Sequence, residues 1–222
     1  MTLHRILDWA SYFCEIIAFM ISLLLLIKYK RKEFGILFCL MLLVIFNESV
    51  GVINTHSETR FLLKSYFKMG NIFLIIELAS YQILIHLLLR NTSARKIVLA
   101  AAIINMMLFI ILSFTLEPVG SKIPLISYSI SVLCIISGIL YYFYEKIKRN
   151  EIQDFTSVFW NWTLAFLLFF IAVEIPFMTS LNYALGHEGF FTQFAYLQNI
   201  KLSASIIYYC SFIAGFIWMK KK

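Results

Sequence analysis

The sequence predicts an all-α integral membrane protein, a bundle of seven transmembrane helices. Hydrophobic residues make up 61% of the 222 residues and charged residues only 14%, and the mean hydropathy is +0.85. A chain with so little polar surface does not cover a water-soluble globule. The chain also divides into seven apolar runs, each near the roughly 20 residues that cross a hydrocarbon core about 30 Å thick. They extend approximately over Ile6–Ile27, Phe34–Ile53, Gly70–Leu89, Ile97–Leu116, Ile123–Tyr144, Phe159–Leu185 and Gln193–Met219.

Little of the chain remains outside these runs. The longest connections, Asn54–Met69 and Glu145–Val158, are too short for a folded soluble domain. We therefore predict one transmembrane domain over residues 1–222, surrounded by the lipid bilayer. The sequence has no nucleophile elbow, phosphate-binding loop or kinase motif, so we predict neither an enzymatic activity nor a cofactor. We also predict no nucleic-acid partner, because the basic residues are spread over short loops without a recognition motif.

The distribution of the basic residues predicts the orientation. Thirteen of the nineteen Lys and Arg residues follow the first, third, fifth and seventh runs, and the other six lie on the opposite side. Positive charge concentrates in the cytoplasmic loops of membrane proteins. We therefore expect the N-terminus outside the cell and the C-terminus in the cytoplasm.

The first helix carries an acidic residue inside its apolar run. Asp8 and Trp9 suit the outer interface, and Glu15 lies roughly 13 Å from the start of the run at 1.5 Å per residue. No basic segment precedes the run, so we expect a retained helix rather than a signal peptide.

The second helix is apolar until Glu48, near its predicted outer end. The connection that follows mixes Arg60, Lys64 and Lys68 with aromatic and aliphatic side chains. This pattern is typical of a short helix that lies in the membrane interface.

The third helix has two polar faces. Glu77 and Tyr81 are four residues apart and share one face, whereas Gln82 and His86 share another, roughly 140° away at 100° per residue. We expect one face to line a site and the other to contact a neighbouring helix.

The fourth helix has few polar residues, and the fifth carries a stripe of small ones. Ser127, Ser131, Cys134 and Gly138 follow one another at steps of three or four residues. Small residues let helices approach closely within lipid, so we interpret this stripe as a packing surface.

The sixth helix places an acid and a proline inside a membrane-spanning run. An ionised carboxylate such as Glu174 is costly in lipid, so it must face protein, water or a partner. Pro176 removes one backbone hydrogen bond beside it, which predicts a kink. Trp160 and Trp162, at the other end of the helix, are interpreted as interfacial anchors. The seventh helix carries Gln198 and Lys201 on one face. Lys201 lies about eight residues from the outer boundary of this helix.

Polar residues from several helices thus fall in the outer half of the predicted bundle. Because such groups are costly in lipid, we expect them to converge on an acidic cavity open to the outer side. The alternative is a set of separate buried pairs that only fix the helices in place. The predicted ligand- or ion-binding residues are Glu15, Glu48, Glu77, Tyr81, Glu174, Asn182, Gln198 and Lys201.

The cysteines and histidines do not predict a metal site. Cys14, Cys39, Cys134 and Cys210 occupy separate runs without a C-x-x-C spacing, so we interpret them as small apolar fillers. His86 is the one histidine inside a run, and no His-x-x-x-His occurs.

The polar pattern from NESVGVINTHSETRFLLKSYFKMGNIFLIIELASYQILI to FWNWTLAFLLFF resembles the small, mostly uncharacterised seven-helix membrane proteins of Bacteroidota. The resemblance covers the second, third, sixth and seventh helices. It implies a multi-pass protein of the bacterial inner membrane. The polar positions of that family correspond here to Glu48, Glu77 and Asn199.

Two main classes of function fit these observations. In the first, a receptor-like sensor binds a small ligand or ion at its outer face and acts on a separate cytoplasmic or membrane partner protein. In the second, a transporter or channel uses the glutamates to carry protons or cations. The absence of an internal repeat and the apolar inner half count against the second. An accessory subunit or membrane effector of a multi-gene system is a further alternative.

Overall fold

The computed structural model describes residues 3–56, 60–115, 125–151, 159–184 and 191–219, with side chains at 3–49, 70–112, 125–151, 159–181 and 196–219. Each predicted run corresponds to one helix, so the all-helical architecture is confirmed. The seven helices are α1 (Leu3–Tyr29), α2 (Lys32–His56), α3 (Arg60–Leu88), α4 (Thr92–Thr115), α5 (Leu125–Lys148), α6 (Phe159–Ala184) and α7 (Phe191–Met219).

Six of these helices are long and apolar enough to cross a membrane: all except α2, over the part of the chain that the structure describes. The described side chains of α2, residues 32–49, include Lys32, Glu33 and Glu48. These charges lie at the two ends of that stretch and flank an uncharged core from Phe34 to Asn47.

Helix ends are formed by local backbone chemistry. Lys30 follows α1 with a φ of 49°, and Asn150 follows α5 with a φ of 56°. A residue in this left-handed conformation commonly terminates an α-helix. At the start of α4 the side-chain oxygen of Asn91 accepts hydrogen bonds from the backbone N–H groups of Ser93 and Ala94, at 2.9 and 3.3 Å. Asn91 is therefore the N-cap of α4.

The predicted interfacial helix before the third run is part of α3. The structure has one uninterrupted helix from Arg60 to Leu88, so the prediction of a separate short helix is wrong. The segment contains no proline, and Gly70 is its one glycine. A glycine costs a helix about 1 kcal/mol relative to alanine, which is too little to break a helix of this length.

The contacts within the chain define two compact units. The first contains residues 1–30 and 139–222, and the second contains residues 31–138. Gly138 and Ile139 mark the division, which lies inside α5.

In the first unit α7 packs against both α6 and α1. Aromatic rings fill the contact with α6: the ring of Tyr208 lies 5.5 Å from those of both Phe170 and Phe212, and Phe159 lies 5.7 Å from Phe212. Each of these four side chains is buried. They form the core of this unit.

One of the two tryptophans at the start of α6 differs from the prediction. Trp160 is buried in the protein, so it is not an interfacial anchor. Trp162 stacks on Trp218 of α7 with ring centroids 4.5 Å apart. Both rings thus contribute to the packing of α6.

In the second unit α3 packs against both α2 and α4. The ring of Phe46 on α2 meets Phe73 on α3 at 5.6 Å. The predicted small-residue stripe of α5 also faces α3, since a Cβ added to Gly138 would lie 2.9 Å from the Cγ2 atom of Ile85. The absence of a side chain at Gly138 therefore permits the close approach of the two helices.

Candidate functional site

Lys201 contacts an aromatic ring where the C-terminal half of α6 packs against the N-terminal half of α7. The ammonium of Lys201 lies 4.8 Å from the ring centroid of Phe177, a distance at which a cation is attracted to an aromatic face. Glu174 precedes Phe177 by three residues, and residues three apart share a helix face. Glu174 therefore lies about one helical turn, or ~5 Å along the axis, from Phe177. Glu174 and Lys201 are both half-buried.

The aromatic contacts establish that α6 and α7 are antiparallel. Trp162, near the start of α6, meets Trp218, near the end of α7. Phe170, in the middle of α6, meets Tyr208, in the middle of α7. The contact between Phe177 and Lys201 continues this register, so it follows from the packing of the two helices along their length.

Pro176 lies two residues after Glu174 without ending α6, which continues to Ala184. Proline donates no backbone hydrogen bond, and its ring crowds the preceding helical turn. The hydroxyl of Thr179 donates to the carbonyl oxygen of Ile175 at 2.9 Å, which adds a side-chain hydrogen bond within this turn. The backbone of α6 thus lacks one helical hydrogen bond beside the predicted site residue Glu174.

Two contacts establish that α1 and α7 are parallel neighbours. The Nδ1 group of His4 donates a hydrogen bond to the side-chain oxygen of Asn199 at 3.1 Å. Further along both helices, the thiols of Cys14 and Cys210 lie close to each other. All four cysteines are free thiols.

Glu15 is buried on the face of α1 that carries Ser11 and Ala18. The side chain is only 5% exposed, and the hydroxyl of Ser11 donates to its Oε1 atom at 3.2 Å. This local hydrogen bond offsets part of the cost of burying a carboxyl group in an apolar helix.

The α1–α7 register separates Glu15 from Lys201. Glu15 follows Cys14, which is level with Cys210, and Cys210 follows Lys201 by nine residues. At 1.5 Å per residue this is about 14 Å along the helix axis. Within the first unit Lys201 therefore contacts α6 at Phe177, one turn from Glu174, and Glu15 lies at another level.

The other predicted site residues divide between the units. Gln198 is half-buried on α7, one turn before Lys201, and the side chain of Asn182 lies outside those described. Glu48, Glu77 and Tyr81 belong to the second unit, where Tyr81 is buried and the two acids are half-buried. The convergence of all eight residues on one cavity stays a prediction.

The second polar face of α3 makes helix contacts, as expected. The side-chain amide of Gln82 donates to the backbone carbonyl of Ser131 on α5 at 3.3 Å. The Nδ1 group of His86 donates to the backbone carbonyl of Arg95 on α4 at 2.8 Å. Gln82 and His86 thus connect α3 to α5 and α4, respectively.

A small polar cavity lies between α3, α4 and α5, and the sequence did not predict it. Its volume is about 10 Å³, and its polar lining residues are Gln82, Asn105, Ser127, Tyr128 and Ser131. The sequence spacing predicts only a packing role for Ser127 and Ser131. The polar lining residues meet only because α3, α4 and α5 pack against one another.

No cluster of three or more His, Cys, Asp or Glu side chains suited to a metal ion occurs among the described residues. No family model, curated protein or solved structure matches the chain. The resemblance to the Bacteroidota proteins therefore stays a prediction.

Proposed function

We propose that this protein is a multi-pass membrane sensor that binds a small ligand or ion from the outer side and acts on a separate partner protein. In this proposal all seven helices cross the bilayer, with the N-terminus outside and the C-terminus in the cytoplasm. Support for α2 as a span comes from its length, 25 residues or about 37 Å. Support for the orientation comes from the uneven distribution of Lys and Arg. The membrane would be a bacterial inner membrane.

The contact between Lys201 and Phe177, one turn from Glu174, is the observation that carries the proposal. A cationic and an acidic side chain are costly inside a lipid-spanning bundle, and such residues commonly mark ion or ligand pathways. Each comes from a different helix, so an ion or ligand that binds one of them alters the contact between α6 and α7. Pro176 lowers the cost of a change in the direction of α6 at this level.

The same two helices provide a route to the cytoplasmic side. The stacked rings of Trp162 and Trp218 lie at the opposite end of the α6–α7 pair from Lys201. The helix that precedes α6 ends in a basic segment with Lys146, Lys148 and Arg149. In the sensor proposal this end of the bundle contacts the partner protein.

The stacked tryptophans give a direct test of coupling along α6 and α7. In a background in which Trp9 and Trp160 are changed to Phe, the fluorescence reports only Trp162 and Trp218. The protein would be placed in lipid nanodiscs and titrated with protons from about pH 5 to about pH 9, the range in which perturbed carboxyl groups and histidines change charge. Separate titrations would use NaCl, KCl and CaCl₂.

We expect at least one of these ions to change the fluorescence of the wild-type background. Glu174→Gln and Lys201→Met should each weaken or shift that response, because each removes one charged group of the site. Ile200→Leu is the matched control, since Ile200 is adjacent to Lys201 but exposed on the outside of the helix bundle. A response that is absent in all proteins, or identical in all of them, would contradict the ion-sensor proposal.

A further inference from the structure

The cavity between α3, α4 and α5 contains a hydrogen-bond donor that has no acceptor among the described residues. Asn105 is 5% exposed, and its Nδ2 atom has no hydrogen-bond partner among the residues that the structure describes. A buried donor left without an acceptor is strongly unfavourable, and native proteins rarely retain one. Asn105 lines the cavity, so the cavity is the place where a hydrogen-bond acceptor would meet it.

The size and charge of the cavity restrict what it can bind. Its volume, about 10 Å³, is at the lower limit for one water molecule and far too small for an organic ligand. The residues that line it include no charged side chain. An ion would therefore lose its hydration without gaining a counter-charge, which is very costly in an apolar environment.

The remaining polar groups of the cavity match the needs of a water molecule. A buried water typically makes two to four hydrogen bonds. Asn105 supplies a donor from α4, and Gln82 on α3 supplies an amide oxygen, since its amide nitrogen already donates to the carbonyl of Ser131. Ser127 and Ser131 bring hydroxyl groups from α5. One water molecule can thus reach polar groups on three helices.

We propose that this cavity is a binding site for a single ordered water molecule, which accepts a hydrogen bond from Asn105 and donates to the polar groups of α3 and α5. The water joins Asn105 on α4 to α3 and α5, which Gln82 and Ser131 already connect by a direct hydrogen bond. The site lies entirely within the second unit and does not depend on the proposed sensor function.

Nuclear magnetic resonance tests this directly. The full chain, labelled with ¹⁵N at asparagine, would be placed in nanodiscs of deuterated lipid, and magnetisation transfer from water to the side-chain amide of Asn105 would be measured. The Asn105→Leu variant identifies the resonance. Asn161 is the control: it is 1% exposed, and its side-chain oxygen already accepts a hydrogen bond from Tyr142 at 2.9 Å. We expect a cross peak with water at Asn105 and none at Asn161, and the lack of a cross peak at Asn105 would overturn the proposal.

Thermal unfolding gives a second, independent outcome. If the water bridges the helices, Asn105→Leu removes its donor and should lower the Tm by about 3–8 °C. If Asn105 is only an unsatisfied buried amide, the same substitution removes a penalty and should raise the Tm, which would also overturn the proposal. Ile104→Leu, at the exposed neighbouring position, should leave the Tm nearly unchanged.

Discussion

The close contact between α5 and α3 at Gly138 leads to a quantitative prediction for Gly138→Ala. The added Cβ would lie 2.9 Å from the Cγ2 atom of Ile85, whereas carbon atoms in good contact are about 3.5–4.0 Å apart. The Cγ2 methyl is attached directly to the branched Cβ atom of Ile85, so rotation of the outer side chain does not remove it. Overpacking of this kind costs about 1–3 kcal/mol.

Gly70 provides the matched control, because Gly→Ala also raises helix propensity. Nothing lies within 4 Å of the Cβ position of Gly70, so Gly70→Ala should stabilise α3 by roughly 0.5–1 kcal/mol. Gly138→Ala has the same gain in helix propensity, but its new Cβ atom also overlaps the Cγ2 methyl of Ile85. The difference in stability between the two variants should therefore be about 1–3 kcal/mol, with Gly138→Ala the less stable.

Thermal unfolding in detergent measures this difference. At about 2–4 °C per kcal/mol for a chain of this length, the Tm of Gly138→Ala should lie about 2–12 °C below that of Gly70→Ala. Ile85→Leu moves the branch point away from Cβ and removes the overlapping methyl, so the double variant Gly138→Ala/Ile85→Leu should recover most of the difference. Equal Tm values for the two alanine variants, or no recovery in the double variant, would refute the packing that we describe.

Two further predictions concern the topology and the α1–α7 contact. A reporter fused after Lys222 should be cytoplasmic and one inserted near Ser57 should be external, and the reverse result would contradict the proposed orientation. Treatment with copper phenanthroline should join Cys14 to Cys210, because their thiols lie close to each other. Mass tagging after denaturation should then show two fewer free thiols than in untreated protein. In the control variant Cys210→Ser, the thiol of Cys14 should stay free after the same treatment. If both thiols of the wild type also stay free, the α1–α7 register is wrong.

The helices followed from the sequence because lipid imposes a length and a composition on each span. Their order along the chain needed only the apolar runs. The residue spacing predicted two polar faces on α3, and the hydrogen bonds of Gln82 and His86 show which of them contacts other helices. The boundary near Gly70 was missed, since a change from amphipathic to apolar residues alters the surroundings of a helix without breaking it.

The candidate site was harder to predict because depth along one helix does not fix the register between two helices. Glu15 and Lys201 both lie in the outer halves of their predicted runs, yet the contacts of α1 with α7 place them about 14 Å apart along the axis. The cavity at Asn105 was missed for a related reason. Each of its polar residues is unremarkable on its own helix, and only the packing of three helices reveals the shared site.

The pairing of α1 with α7 has a consequence for biosynthesis. About 160 residues separate the end of α1 from the start of α7, and synthesis at about 5–20 residues per second takes about 8–30 s to cover them. Throughout that interval α1 is in the membrane without the helix that it contacts through His4 and Cys14. Exposure of Glu15 to lipid is unfavourable during this interval, so the insertion machinery or a membrane chaperone would have to cover it. A chain released before α7 emerges would lack the α1–α7 contacts that His4 and Cys14 make.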